Sequence, residues 1–105
     1  VNEQESQETV RILKALANPI RLKMIASLNE DPKNVYALAK QLKLPYPLAY
    51  LHLGGLKKLG LVKAVREEKK VEGLPSVKYY APSDFKLVLT PQNIQKMFQK
   101  RKEMR

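Results

Sequence analysis

The sequence predicts a mainly α fold with a small β hairpin, in one domain. Three observations carry that prediction. Residues 34–62 hold two short amphipathic helical stretches joined by the turn Lys43-Leu44-Pro45-Tyr46-Pro47, a helix-turn-helix pattern. Residues 61–81 read as strand, charged loop, strand. The chain carries 20 Lys plus Arg against 10 Asp plus Glu, a formal charge of +10 in 105 residues. That length makes one compact domain rather than two, and 44% hydrophobic residues supply a modest core. The charge points to a polyanion, whether duplex DNA, RNA or an anionic membrane surface. Charge alone fits a merely soluble basic protein as well.

The elements follow in order. Residues 1–5 are polar and expected to fray. Over residues 6–17, Val10, Leu13 and Ala17 fall on one helical face, with Ile12 and Leu16 beside it. Asn18-Pro19 is a cap followed by a proline at the first helical position, where a missing N–H costs nothing. The next helix is expected to run to about Leu28, with Ile20, Met24 and Leu28 spaced by four and Leu22 and Ile25 alongside as core. Asn29-Glu30-Asp31-Pro32 stops it. Asn34 caps a third helix whose inner set is Val35, Leu38, Ala39 and Leu42. Two prolines then exclude a continuous helix, and Pro47 opens a fourth that runs to about Leu59 and ends at Gly60.

Residues 61–66 and 77–81 are the strands of a hairpin with a charged tip at 67–76. Phe85, Leu87 and Leu89 alternate with Lys86 and Val88, so 85–89 is expected as a short third strand. Thr90-Pro91 repeats the cap-plus-proline signal before a last helix to about Glu103, with Ile94, Met97 and Phe98 on one face and Lys96, Lys100, Arg101 and Lys102 elsewhere. There is no internal repeat, linker or low-complexity stretch.

Other classes recede on composition. With no cysteine there are no disulfides, thiolate metal sites or Cys nucleophiles. No apolar run approaches the roughly 18 residues of a membrane span. The polar, acidic N-terminal stretch is unlike a secretory signal, so a cytoplasmic protein is expected; the chain begins at Val1, so residues before it are conceivable. One histidine, no cysteine and no paired carboxylates at a cleft argue against an enzyme.

Four helices, a hairpin and a last helix make the order of a winged helix-turn-helix. Residues 13–28, LKALANPIRLKMIASL, resemble the opening signature of the ArsR-like (arsenic repressor) transcriptional regulators. Residues 48–62, LAYLHLGGLKKLGLV, are similar to that family's recognition helix and its exit into the wing, with His52-Leu53, Leu56 and Gly60-Leu61-Val62 in matching places. With the wing, the resemblance spans about residues 10–82. MarR-like regulators share the architecture but fit the Ala-Asn-Pro-x-Arg stretch less well. The resemblance implies DNA binding and dimerisation. It does not imply metal sensing. Where many members carry Cys-x-Cys, this chain has Asn34 and Tyr36, and His52 cannot build a metal site alone. No metal or other cofactor is expected.

If Leu53 and Leu56 point inward, Ala49 and Gly60 share their face, and the opposite face carries Pro47, Tyr50, Leu51, Gly54 and Lys58, with Lys57 at its edge. That face would enter the major groove. It lacks the Arg, Asn and Gln that read bases in bidentate fashion. Tyr50 can bond a phosphate or a base edge, and Leu51 can meet a thymine methyl. Gly54 and Gly55 admit close approach of a phosphate, or else let the third helix pack closely against the fourth. Tyr46 in the turn is grouped with this face. His52 is read as a half-buried residue satisfied by backbone.

Lys40, Gln41 and Lys43 of the third helix, and Lys57, Lys58, Lys63, Arg66, Lys69, Lys70 and Lys78 around the hairpin, are expected along phosphates. A solvated hairpin of Glu–Lys pairs is the plainer alternative.

The outer helices (about 6–17 and 91–103) present Val10, Leu13 and Ala17, and Ile94, Met97 and Phe98, beyond what a small core needs, and are expected to form a homodimer. The leading expectation is therefore a homodimeric double-stranded-DNA-binding regulator, a repressor, with neither metal nor membrane partner. A non-specific nucleic-acid or chromosome-coating protein, and a winged-helix protein-interaction module, are the competing expectations.

Overall fold

Asn18 and Pro19 set the first corner of the molecule. The Asn18 side-chain oxygen accepts from the backbone N–H of Ile20 at 2.8 Å and of Arg21 at 3.4 Å, satisfying two donors that the new helix leaves open. The computed structural model describes residues 2–99. In order these form α1 (Asn2–Leu16), α2 (Pro19–Glu30), α3 (Val35–Leu42), α4 (Tyr46–Lys58), β1 (Val62–Glu68), β2 (Val77–Pro82) and α5 (Pro91–Phe98). This is a winged helix-turn-helix with an extra helix at each end. Helix α1 begins at Asn2, so residues 2–5, expected to fray, are helical.

Helices α2, α3 and α5 start where the sequence carries a cap. Asn34 accepts from the Ala37 N–H at 2.7 Å, and Thr90 from the Asn93 N–H at 3.1 Å. Helix α4 has no side-chain cap. The Pro45 carbonyl receives the N–H groups of Leu48 and Ala49, each at 3.1 Å, and Pro47 lies in the first turn. The turn before it is tight because Lys43 adopts the left-handed conformation, with φ 57°. The Leu44 N–H then reaches back to the Ala39 carbonyl at 2.9 Å. Gly60 does the same at the end of α4, with φ 77°, and is exposed there rather than sharing the buried face of Ala49.

The core is one cluster between α2, α3, α4 and the root of the hairpin. Met24, Leu28, Leu38, Leu56 and Val62 are its fully buried large side chains. Val35, Ala39, Ala49, Leu53 and Leu61 complete it, with Ile20, Ile25 and Leu42 partly covered at its margin. Leu22, expected beside the core, is half exposed because it turns away from α3 and α4.

Strands β1 and β2 are antiparallel. Val62, Lys63 and Ala64 pair with Pro82, Ala81 and Tyr80; Val65 is then an extra residue, and Arg66, Glu67 and Glu68 pair with Tyr79, Lys78 and Val77. Strand β1 reaches two residues closer to the tip than expected, while β2 starts at Val77 as expected. The third strand expected at 85–89 does not form. The free edge of β2 is already taken by Lys33, which exchanges backbone hydrogen bonds with Tyr80 at 3.2 and 2.8 Å. Phe85, Leu87, Val88 and Leu89 therefore run as exposed irregular chain that returns α5 beside α1. Helix α5 ends at Phe98, short of the expected Glu103. Gln99 is extended. Lys100, Arg101, Lys102 and Glu103 lie outside the described residues.

Two substitutions test this scheme by chemical denaturation. Lys43→Gly relieves the left-handed strain and is expected to stabilise by about 1 kcal/mol. Leu56→Ala empties the core and is expected to cost about 2–5 kcal/mol.

Candidate nucleic-acid interface

The outer face of α4 is built by subtraction. Ala49, Leu53 and Leu56 are buried at helical spacing, which leaves Pro47, Tyr50, Leu51, Gly54, Lys57 and Lys58 in solvent. Tyr50 is 63% and Leu51 68% exposed, high values for large side chains on a helix that is otherwise core. Tyr46 stacks on Tyr50 with ring centroids 6.3 Å apart, so the two rings form one shelf at the start of the helix. A Cβ at Gly54 or Gly55 would meet nothing within 4 Å. Close packing of α3 on α4 therefore does not explain either glycine. Both leave open space beside the helix backbone.

On the third helix, one of the expected side chains is also engaged within the fold. Lys40 is exposed, but the Gln41 side-chain oxygen accepts a hydrogen bond from the buried Ser27 hydroxyl at 2.6 Å. Gln41 thus ties α3 to α2. His52 is not satisfied by backbone. Its Nδ1 accepts from Arg21 Nε at 3.2 Å, and a second Arg21 nitrogen donates to the Ala15 carbonyl at 3.3 Å. Burial, and then the Arg21 charge, hold the imidazole below its ordinary pKa. His52 is a neutral joint between α2 and α4.

The wing sorts its charges into two groups. Arg66 lies over the Tyr79 ring at 4.1 Å and pairs with Glu68 at 3.0 Å; Lys70 pairs with the same carboxylate at 3.1 Å and lies 5.7 Å from the same ring. Hydrogen bonding to Lys70 is the first cause that holds Glu68 below its ordinary pKa. Glu67 accepts from the Ser76 hydroxyl. Lys57, Lys58, Lys69 and Lys78 are exposed, and none lies within ion-pair distance of a carboxylate among the described residues.

Two flanks border the α4 face. On the wing side, a cleft of about 440 Å³ lies between α4, the start of α3 and β2, with Tyr36, Tyr50, Lys57, Lys78 and Tyr80 among its walls. On the other side, Arg11, Lys14, Arg21 and Lys58 surround an open depression of about 340 Å³. Arg11 is tied to Glu8 at 3.0 Å and Arg21 to His52. Sequence reading missed this second group, because only the packing of α1 on α2 brings Arg11 and Lys14 to the same depression as Lys58.

The expected dimer face stands apart from α4. Val10, Leu13 and Ala17 of α1 are exposed, as are Ile94 and Phe98 of α5, while Met97 is half-buried. The inward side of α1 is instead carried by Ala15, Ile12 and Leu16. Among the described residues, no three His, Cys, Asp or Glu side chains gather as a metal group, and no helix is long and apolar enough to cross a membrane.

The His52 joint has a pH consequence. Its folded pKa is below the unfolded value near 6.5, so the unfolded chain takes the proton more readily. The neutral joint's contribution is complete above about pH 6.5 and is lost as pH falls through the folded pKa. In Arg21→Gln the NMR titration midpoint of His52 is expected to rise, yet stay below the unfolded value because burial, the larger cause, remains.

Comparison with known proteins fits this geometry. Residues 18–64, from the α2 cap into β1, match the bacterial regulatory protein family arsR. A helix-turn-helix-type transcriptional regulator of Methanocaldococcus jannaschii is 37% identical over 92 residues, covering 88% of this chain and 94% of its own. The helix-turn-helix-type transcriptional repressor SmtB of Mycobacterium tuberculosis is 37% identical over 60 residues, 57% of this chain and 44% of that protein. Among solved structures, the homodimeric winged helix-turn-helix DNA-binding domain of a Mycobacterium bovis protein superposes with a TM-score of 0.65 at 26% identity, covering 90% of this chain and 75% of that one. NolR from Sinorhizobium fredii gives 0.64 at 26% identity over 90% and 80%. The chain belongs to the ArsR family of helix-turn-helix transcriptional regulators.

Proposed function

We propose that the chain acts as a homodimeric repressor in the cytoplasm, with α4 laid in the major groove of duplex DNA and the hairpin along the backbone. The observation that carries this reading is the outer face of α4: a core helix that leaves Tyr50, Leu51, Gly54, Lys57 and Lys58 in solvent, beside lysines without carboxylate partners. Lys40, Lys57, Lys58, Lys69 and Lys78 serve as phosphate contacts. Arg66 and Lys70, held by Glu68 and Tyr79, stiffen the wing and present a fixed positive edge. Tyr46 and Tyr50 together meet the groove wall. Gln41 supports the site through Ser27 rather than touching DNA with its oxygen.

The exposed faces of α1 and α5 supply the dimer, an arrangement supported by the homodimeric Mycobacterium bovis neighbour. Repression is supported by the name of the SmtB relative. Regulation proceeds without a metal at the start of α3. Asn34 stands there as a cap, its oxygen already committed to Ala37, and Tyr36 is no metal thiolate.

The α4 face has no Arg, Asn or Gln, and that favours a second reading, sequence-independent coating of DNA. Selection of bound duplexes from a random pool separates the two. A palindrome with half-sites about 34 Å apart supports the repressor, and equal binding of all duplexes at every salt concentration supports coating. With about six phosphates neutralised, the log–log salt slope is expected near −5, and Lys57→Gln or Lys69→Gln should each make it shallower by about 0.9. Phe98→Asp places a charge in the dimer face; sedimentation is expected to show monomers, and affinity for the palindrome should fall while the thermal transition survives.

A further inference from the structure

Tyrosines and lysines converge in the cleft between α4 and the wing. Tyr46 and Tyr50 form the shelf on α4, Tyr36 stands on the first turn of α3, and Tyr80 of β2 forms the opposite wall. The Lys57 ammonium lies over the Tyr80 ring at 5.7 Å, and Lys78 borders the same space. The cleft adjoins a smaller recess of about 120 Å³, where Val35 and Leu53 supply apolar lining. No Asp or Glu lines either space.

Each part of this lining selects for a different property of a ligand. Tyrosine rings favour a flat aromatic group at offset-stacking or edge-to-face distance. The apolar recess favours an uncharged ring edge. Two ammonium groups without carboxylate partners, and phenol hydroxyls able to donate, favour an anion at the mouth. The recess is mostly apolar and the wider cleft at its mouth mostly polar, and a small-molecule site combines apolar lining with a few convergent polar groups.

We propose that this cleft binds a planar aromatic carboxylate, with its ring in the recess and its carboxylate between Lys57 and Lys78, and that the occupied cleft disfavours DNA. The regulatory half rests on the reading of α4 as the DNA-contacting helix, since Tyr50, Lys57 and Lys78 serve both partners. Ligand and duplex then lower each other's affinity by the same factor.

The test uses the full chain with 2-naphthoate as the probe. Titration is expected to shift the ring resonances of Tyr36, Tyr50 and Tyr80 saturably. Cyclohexanecarboxylate, which keeps the charge but not the flat ring, and 2-naphthalenemethanol, which keeps the ring but not the charge, should each bind more weakly. Tyr36→Ala, at a residue outside the set assigned to DNA, should weaken naphthoate binding roughly 2- to 10-fold and leave duplex affinity without naphthoate unchanged. Saturating naphthoate should lower duplex affinity.

Unmoved tyrosine resonances, or equal binding of the neutral alcohol, overturn the cleft assignment. Naphthoate binding that leaves duplex affinity unchanged overturns the regulatory half. A chain that binds naphthoate in the cleft but no duplex at low salt overturns the DNA reading and leaves the cleft assignment standing.

Discussion

The face that α4 presents to solvent depends on the burial of the other side of the same helix. Leu56 and Ala49 are wholly enclosed and Leu53 nearly so, in the same cluster as Met24, Leu28, Leu38 and Val62. Burying a leucine of this kind contributes about 1.5–3 kcal/mol, and three successive turns of α4 are fixed in this way. The rotation of the helix about its own axis is then set, and the positions of Tyr50, Leu51, Gly54 and Lys58 follow from it. The His52–Arg21 hydrogen bond adds a polar constraint on the side facing α2. The exposed face of α4 thus owes its orientation to the buried side of the same helix.

Much of this was legible in the chain itself. Asn18-Pro19, Asn34 and Thr90-Pro91 each combine an acceptor side chain with a helix start, and all three cap as their chemistry requires. The α4 face followed from the spacing of Leu53 and Leu56 alone. What could not be read were pairings between distant segments. The alternation at 85–89 has strand form, but a strand needs a free edge, and Lys33 already occupies that of β2. Nothing in the local pattern of Lys33 announces that pairing. The His52–Arg21 bond and the tie of Gln41 to Ser27 are not legible for the same reason: the partners are remote in sequence.

The two cationic flanks of α4 differ in kind. On the α1 side the charges are partly engaged, Arg11 with Glu8 and Arg21 with His52. Exposed pairs of the first sort contribute little stability and exchange readily for a phosphate. On the wing side aromatic rings interleave with the cations, which adds flat surface to charge. A duplex backbone requires only the charge. The tyrosines on that flank therefore exceed what phosphate contact asks of them.

The extra residue at Val65 has a consequence for the wing as a whole. Without it, continuing the pairing of Ala64 with Tyr80 would set Val65 against Tyr79, Arg66 against Lys78 and Glu67 against Val77. Like charges would face one another across the ladder. With it, Arg66 meets the Tyr79 ring and Glu67 stands opposite Lys78 in the ladder, beyond ion-pair distance. The bulge acts as a frameshift in the hairpin: the same letters, displaced by one, spell attraction where they would otherwise spell repulsion. A wing one residue shorter would keep its net charge to the unit and lose the order in which that charge is spelled.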